Sequence, residues 1–221
     1  MPTRRTAFRN LSTKWFDATA GTWSYAPTVQ TGVNISVGQT LWAAGAIDDA
    51  GVPWVLYEDV GMGGLYMLDL TQETDWTVTK VADGTSSGVA MAAGESGIYA
   101  GMTSLSTGDG MTIMQLGESG WAQLGDAPRW FGSSGLSIVD DGERPVIAFS
   151  DRDHGSEISA LAYRADTDAW EPLGPPGLSD GAASNAATAL PDTALAMAPD
   201  GTLYLAYYDA KIGGLTVLTL D

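Results

Sequence analysis

Four segments of this 221-residue chain lie over one another in sequence, and that internal register limits the fold more than any single residue does. They are Gly51 to Asp59 (GVPWVLYED), Gly97 to Ser104 (GIYAGMTS), Arg144 to Asp151 (RPVIAFSD) and Gly201 to Asp209 (GTLYLAYYD). Each follows a short small-residue run that ends in an acidic or glycine turn: LWAAGAIDDA, VAMAAGES, LSIVDDGE and LAMAPD. Each precedes a further alternating run, and in three cases a tryptophan comes next, at Trp76, Trp121 and Trp170. Alternation is the mark of a strand, because successive side chains point to opposite faces of a sheet.

Four strand-like runs per unit, repeating at about 45 to 50 residues, is the pattern of propeller blades. The runs are apolar on both faces: Val55, Ala100, Ile147 and Leu205 share one, while Trp54, Tyr99, Val146 and Tyr204 share the other. A sheet sandwiched between two neighbours needs that arrangement. No long stretch has helical periodicity, since Gly or Pro interrupts every candidate. The sequence therefore predicts an all-β chain: a β-propeller of four-stranded antiparallel blades, four in number, with extra N-terminal strands.

In the first blade the strands are expected at Leu41 to Ile47, Pro53 to Glu58, Leu65 to Leu70 and from Trp76; in the second at Val89 to Ala93, Ile98 to Thr103, Met111 to Leu116 and from Trp121. In the third they fall at Leu136 to Val139, Pro145 to Ser150, Ile158 to Arg164 and from Trp170; in the fourth at Ala194 to Ala198, Leu203 to Tyr208 and Leu215 to Leu220. The fourth lacks its last strand. Two solutions present themselves: Trp23 to Thr28 supplies it and closes the ring, or the chain is a segment of a larger propeller completed by oligomerisation. Residues 1–13 read as a leader and 14–221 as one propeller domain or propeller fragment. The recurring tryptophans read as packing between blades, with sugar stacking as the alternative.

An apolar content of 44% belongs to a chain with a real core, and with no cysteine there is neither a disulfide framework nor a thiolate site. The net charge of -17 opposes phosphate backbones and anionic membranes, so nucleic acid is not an expected partner. No apolar run is long enough to insert in a membrane. Asp48, Asp49, Asp140, Asp141 and Asp200 fall in turns, where an Asp side chain caps the backbone.

The combination of W-x-x-L-G at Trp121 to Gly125 and Trp170 to Gly174, a Gly- and Ser-rich connection, and PDGTLYLAYYD at Pro199 to Asp209 resembles the propeller repeat of bacterial extracellular proteins. More distantly it is similar to the tachylectin-like propeller lectins. The resemblance implies a propeller in an extracellular or cell-envelope setting, and a fold rather than an activity. Repeat two departs from it, with Ser104 where the others have Asp59, Asp151 and Asp209. A sialidase reading finds one altered Asp-box, STGDGMT at Ser106 to Thr112, and only Arg129 and Arg152 on the expected face.

In this topology one end of the ring carries the loops DVGMGG, SLSTGDG, DRDHGSE and DAKIGG, and ligands are sought there. The third is the richest, with Asp151, Arg152, Asp153, the sole histidine His154, and Glu157. Asp151, Asp153 and Glu157 suit either calcium, through alternating oxygens, or hydrogen-bonded caps of a hairpin. His154 suits a general base or a plain surface histidine. On the same end, Arg129, Trp130 and Phe131 sit together in DAPRWFGSSG, as a sugar-stacking or partner-anchoring group or as a plug of the central channel. The functional expectation is a non-catalytic propeller module that binds a carbohydrate or a protein through Arg129, Trp130, Phe131, Asp151, Asp153 and His154, without a cofactor unless calcium is held. Its rivals are a glycan-active hydrolase and a structural segment of a secreted protein.

Overall fold

The computed structural model describes residues 14–25, 39–69, 77–84, 86–104, 110–125, 134–181, 183 and 193–220. Every regular element among them is a strand, apart from a single turn of 3-10 helix at Arg152–His154. A hairpin of β1 (Lys14–Asp17) and β2 (Thr22–Tyr25) comes first. Sheet one holds β3 (Ala43–Ile47), β4 (Pro53–Asp59), β5 (Gly64–Asp69) and β6 (Thr77–Asp83). Sheet two holds β7 (Ser86–Gly94), β8 (Gly97–Ser104), β9 (Met111–Gly117) and β10 (Gly120–Gln123). Sheet three holds β11 (Ser134–Asp140), β12 (Pro145–Asp151), β13 (Glu157–Arg164) and β14 (Ala169–Pro172). Sheet four holds β15 (Thr193–Met197), β16 (Leu203–Asp209) and β17 (Gly214–Leu220). Strands pair antiparallel in chain order, so each sheet is a meander.

The apolar faces read from the sequence explain how the sheets stack. Leu56, Leu65 and Met67 of sheet one pack with Ala100 and Met102 of sheet two. The other face of sheet two, with Tyr99 and Ile113, meets Ile147, Phe149 and Leu161 of sheet three. Sheet three then turns Val146, Ala148 and Ala160 toward Leu203, Leu205 and Tyr207 of sheet four. The central strands of sheets two and three thus each feed two cores, odd residues one and even residues the other. The first strands adjoin in series, β3 beside β7, β7 beside β11 and β11 beside β15. Where β8 faces β11, a Cβ on Gly101 would stand 2.6 Å from Ile138 Cδ1 and 2.8 Å from Leu136 Cδ2, so the glycine leaves room for those side chains.

Polar bonds tie the same interfaces. Trp170 of sheet three donates its indole N–H to the Leu124 carbonyl that follows sheet two, at 3.0 Å. Asp140 accepts from the Ser96 amide at 2.9 Å and from its hydroxyl at 2.7 Å, joining β11 to the turn after β7. The turn-capping reading holds for Asp48, Asp140, Asp141 and Asp200, each of which accepts an amide from its own turn. Trp121 and Trp170 lie against cores between sheets, as expected of them. Trp23 differs: it is 66% exposed and tilts against Phe16 at 5.2 Å. Trp76 lies outside the described residues.

The row of sheets is not closed, and the ring closure expected of Trp23 to Thr28 is not found among the described residues. Trp23 pairs with Phe16 of β1, while among the described residues β17 has a partner only in β16. Asp17 caps the turn between β1 and β2 by accepting from the Thr19 and Ala20 amides at 2.8 and 2.9 Å, which fixes that hairpin locally. Ala26 to Thr28 lie outside the described residues.

Burial makes an alkaline prediction. Tyr57 is 1% exposed beside Tyr66, and its removal from water, reinforced by the charge of Asp59, pushes its phenol up to about 12. A phenol whose proton is held more tightly when folded than at its ordinary value near 10 stabilises the fold fully below about pH 10 and stops doing so as pH rises through about 12. Tyr57→Phe should therefore flatten the loss of stability over that window, read as the urea midpoint against pH. An unchanged profile would mean the buried phenol is not responsible.

Candidate functional site

The second-to-third-strand loops of sheets one, three and four begin at Asp59, Asp151 and Asp209, all at 5% exposure or less. In each, one carboxylate oxygen accepts from the backbone of its own loop. Asp59 takes the Met62 amide at 3.0 Å, Asp151 the Asp153 amide at 3.0 Å, and Asp209 the Lys211 amide at 2.8 Å. The aspartate that recurs in the sequence is thus a loop cap: its carboxylate replaces the backbone partners that the turn removes. Ser104 ends the corresponding strand of sheet two.

The loops differ by one residue, and the difference matters. Asp59 pairs with Gly64 and Asp209 with Gly214, leaving four residues between, and both turns close through a left-handed glycine, Gly63 at φ 67° and Gly213 at φ 66°. Asp151 pairs with Glu157, leaving five. The extra residue winds Arg152–His154 into a 3-10 turn and pushes Gly155 and then Ser156 into the left-handed region, at φ 68° and 64°. Arg152, Asp153 and His154 are all exposed on that turn.

Asp151 anchors it from below. Its second oxygen meets His154 Nδ1 at 2.7 Å and accepts the Ser159 hydroxyl at 2.7 Å. Ser159 in turn accepts the Gly177 amide at 3.2 Å, so the chain beyond β14 is drawn into the same network. Two amides beyond β14 bond to β13 and the turn before it, Leu178 N–H to the Ile158 carbonyl at 2.6 Å and Ala183 N–H to the Ser156 carbonyl at 2.8 Å. A carboxylate can only accept, so His154 carries its proton on Nδ1. Both oxygens of Asp151 are engaged by protein, and among the described residues no group of three His, Asp or Glu side chains is arranged to hold a metal ion.

Of the six residues read as ligand-binding, the structure brings Asp151, Asp153 and His154 together and places only the last two at the surface. Arg129, Trp130 and Phe131 lie outside the described residues. β11, which follows them in sequence, begins with Ser134 paired to Ser150. Sequence reasoning missed Ser159; Gly177 and Ser179, which it reads only as the start of a long small-residue connection, bond to β13 beside it. The legible signal was Ser159 within an otherwise apolar EISALAYR run, on the same side of its strand as Leu161. Glu58 was also passed over: it is 1% exposed, one oxygen accepts the Ser86 amide at 2.8 Å, and the other has no hydrogen-bond partner among the described residues.

At the opposite end of the sheets a depression of about 360 Å³ lies between sheets three and four. Asp141, Arg144, Asp200 and Thr202 rim it, above Leu203 and Leu220. Arg144 faces Asp141 on this rim at 3.4 Å. No helix among the described residues is long and apolar enough to cross a membrane.

No family model matches this chain, and neither does any curated protein. Among solved structures it is similar to a protein of Bacteroides uniformis ATCC 8492 provisionally described as a 6-phosphogluconolactonase, with 13% sequence identity and a TM-score of 0.51 over 96% of this chain. The chain spans 66% of the length of that protein. At such identity the likeness concerns the fold alone, and one fold serves many activities.

Proposed function

We propose that the chain is a β-propeller, or the greater part of one, and that it works as a non-catalytic binding module whose loop end recognises a carbohydrate. The propeller reading is supported by meanders stacked face to face with their first strands adjoining in series. The single observation that carries the binding role is the Arg152–His154 turn: three exposed polar residues on a turn that the buried Asp151 carboxylate holds through the Asp153 amide and the His154 imidazole. A pre-ordered turn pays little conformational entropy on binding, which is what a shallow sugar site needs. Asp153 accepts hydrogen bonds from hydroxyls, His154 and Arg152 donate, and the Arg129, Trp130 and Phe131 segment supplies aromatic stacking. A protein ligand and an extracellular or envelope setting belong to the same reading, through the resemblance of the repeat.

A glycan array with the 221-residue chain is the test. Binding is expected, weakened about tenfold or more by Asp153→Ala or His154→Ala and by Trp130→Ala. A blank array, or binding indifferent to all three, rejects the assignment. One specific observation favours a hydrolase instead: a buried carboxylate 2.7 Å from an exposed imidazole is how a general base is oriented. Turnover of sugar lactones or chromogenic glycosides that disappears in His154→Gln would select that reading.

A further inference from the structure

The three interfaces between sheets share one register, and the fourth sheet carries it once more with no described sheet upon it. Tyr99 and Val146 stand, in repeats two and three, where Tyr204 stands in the last; both are at 2% exposure or less, sealed by the following sheet. Tyr204 is 40% exposed, Val217 56% and Leu215 73%. Pairing places Ala196 beside Tyr204, Ala206 between Ala194 and Val217, and Tyr208 beside Leu215, all on one face. We propose that this face of sheet four is the contact between two copies of this chain related by a twofold axis.

Three features select a second copy. The face bears no charged side chain among the described residues, in a chain of net charge -17, so two copies meet there without like charges opposed. Its relief is self-complementary: Leu215 and Val217 form a bulky side on β17, while Ala194 and Ala196 form a low side on β15. A twofold axis lays the bulky side of each copy over the low side of the other, as isologous contacts require. The built interface between sheets three and four uses the same match, with Leu205 and Tyr207 against Ala148 and Ala160. A head-to-tail contact is disfavoured because the corresponding face of sheet one already holds Tyr57, Tyr66 and Leu68 at 5% exposure or less.

Light scattering and sedimentation of the 221-residue chain across a concentration series provide the test. The expected result is a dimer whose dissociation constant rises at least about tenfold in Leu215→Lys with Val217→Lys, while far-ultraviolet circular dichroism is unchanged. Lysine lowers the net negative charge, so general repulsion cannot produce that loss. Ile47→Lys, at an exposed position on sheet one, is expected to leave the dimer intact. A monomer at every concentration, a dimer indifferent to the lysines on β17, or one dissolved by Ile47→Lys would each overturn the proposal.

Discussion

Phe149→Ala is expected to destabilise the protein by about 3 to 5 kcal/mol, the range for deleting a buried aromatic whose cavity cannot collapse. Phe149 is 0% exposed in β12, on the face that meets sheet two, in one cluster with Tyr99, Ile113 and Leu161. The neighbours that would have to close the cavity are strand residues fixed by ladders on both sides, since β12 pairs with β11 and β13. Collapse is therefore limited. Because the two faces of β12 serve different cores, Val146→Ala on the other face should destabilise independently, and the two changes should add to within about 0.5 kcal/mol. Urea midpoints of the single and double variants are the check; a Phe149→Ala loss under about 1.5 kcal/mol would mean that sheets two and three do not share a dry core.

That two-core logic was legible in the sequence, because alternation assigns each residue to a face before any neighbour is known. Val55, Ala100, Ile147 and Leu205 were grouped by register alone, and Ala100, Ile147 and Leu205 indeed lie on equivalent sides of three successive interfaces. Strand limits followed for the same reason: Gly and Asp turns punctuate every meander. What alternation does not encode is which sheet a strand joins. Trp23 has the spacing of Trp170 and pairs next door with Phe16 just as Trp170 pairs with Tyr163, so the first hairpin repeats the last two strands of a sheet without joining one of the four among the described residues.

The candidate site was half legible. His154 and Asp153 lie at the surface of the loop picked out for its chemistry, whereas Asp151 beside them is wholly buried. Composition cannot separate an aspartate that faces solvent from one that turns under its own loop. The recurrence of Asp59, Asp151 and Asp209 ahead of three dissimilar loops did contain the answer, because a residue kept while the loop varies serves what the loops share, a strand end that needs a cap. Ser159 escaped because its role exists only once β13 is laid against β12.

Asp151→Ala should destabilise by about 3 kcal/mol, against about 1 kcal/mol for Asp209→Ala, because stranding a buried partner costs more than losing an exposed one. Removing Asp209 frees the amides of Lys211 and Ile212, which the solvent reaches at the exposed tip of their loop. Removing Asp151 strands the Ser159 hydroxyl, 2% exposed, and releases both the Asp153 amide and His154. Asp151→Asn separates stability from orientation. The amide oxygen still caps Asp153, but its NH₂ now faces the imidazole, so His154 must present a bare Nδ1 and carry its proton on Nε2. As the chain has one histidine, nitrogen NMR reads that exchange without ambiguity. Retention of the original tautomer in Asp151→Asn would show that the buried carboxylate does not orient His154, and ligand recognition through a pre-ordered turn would lose its structural basis.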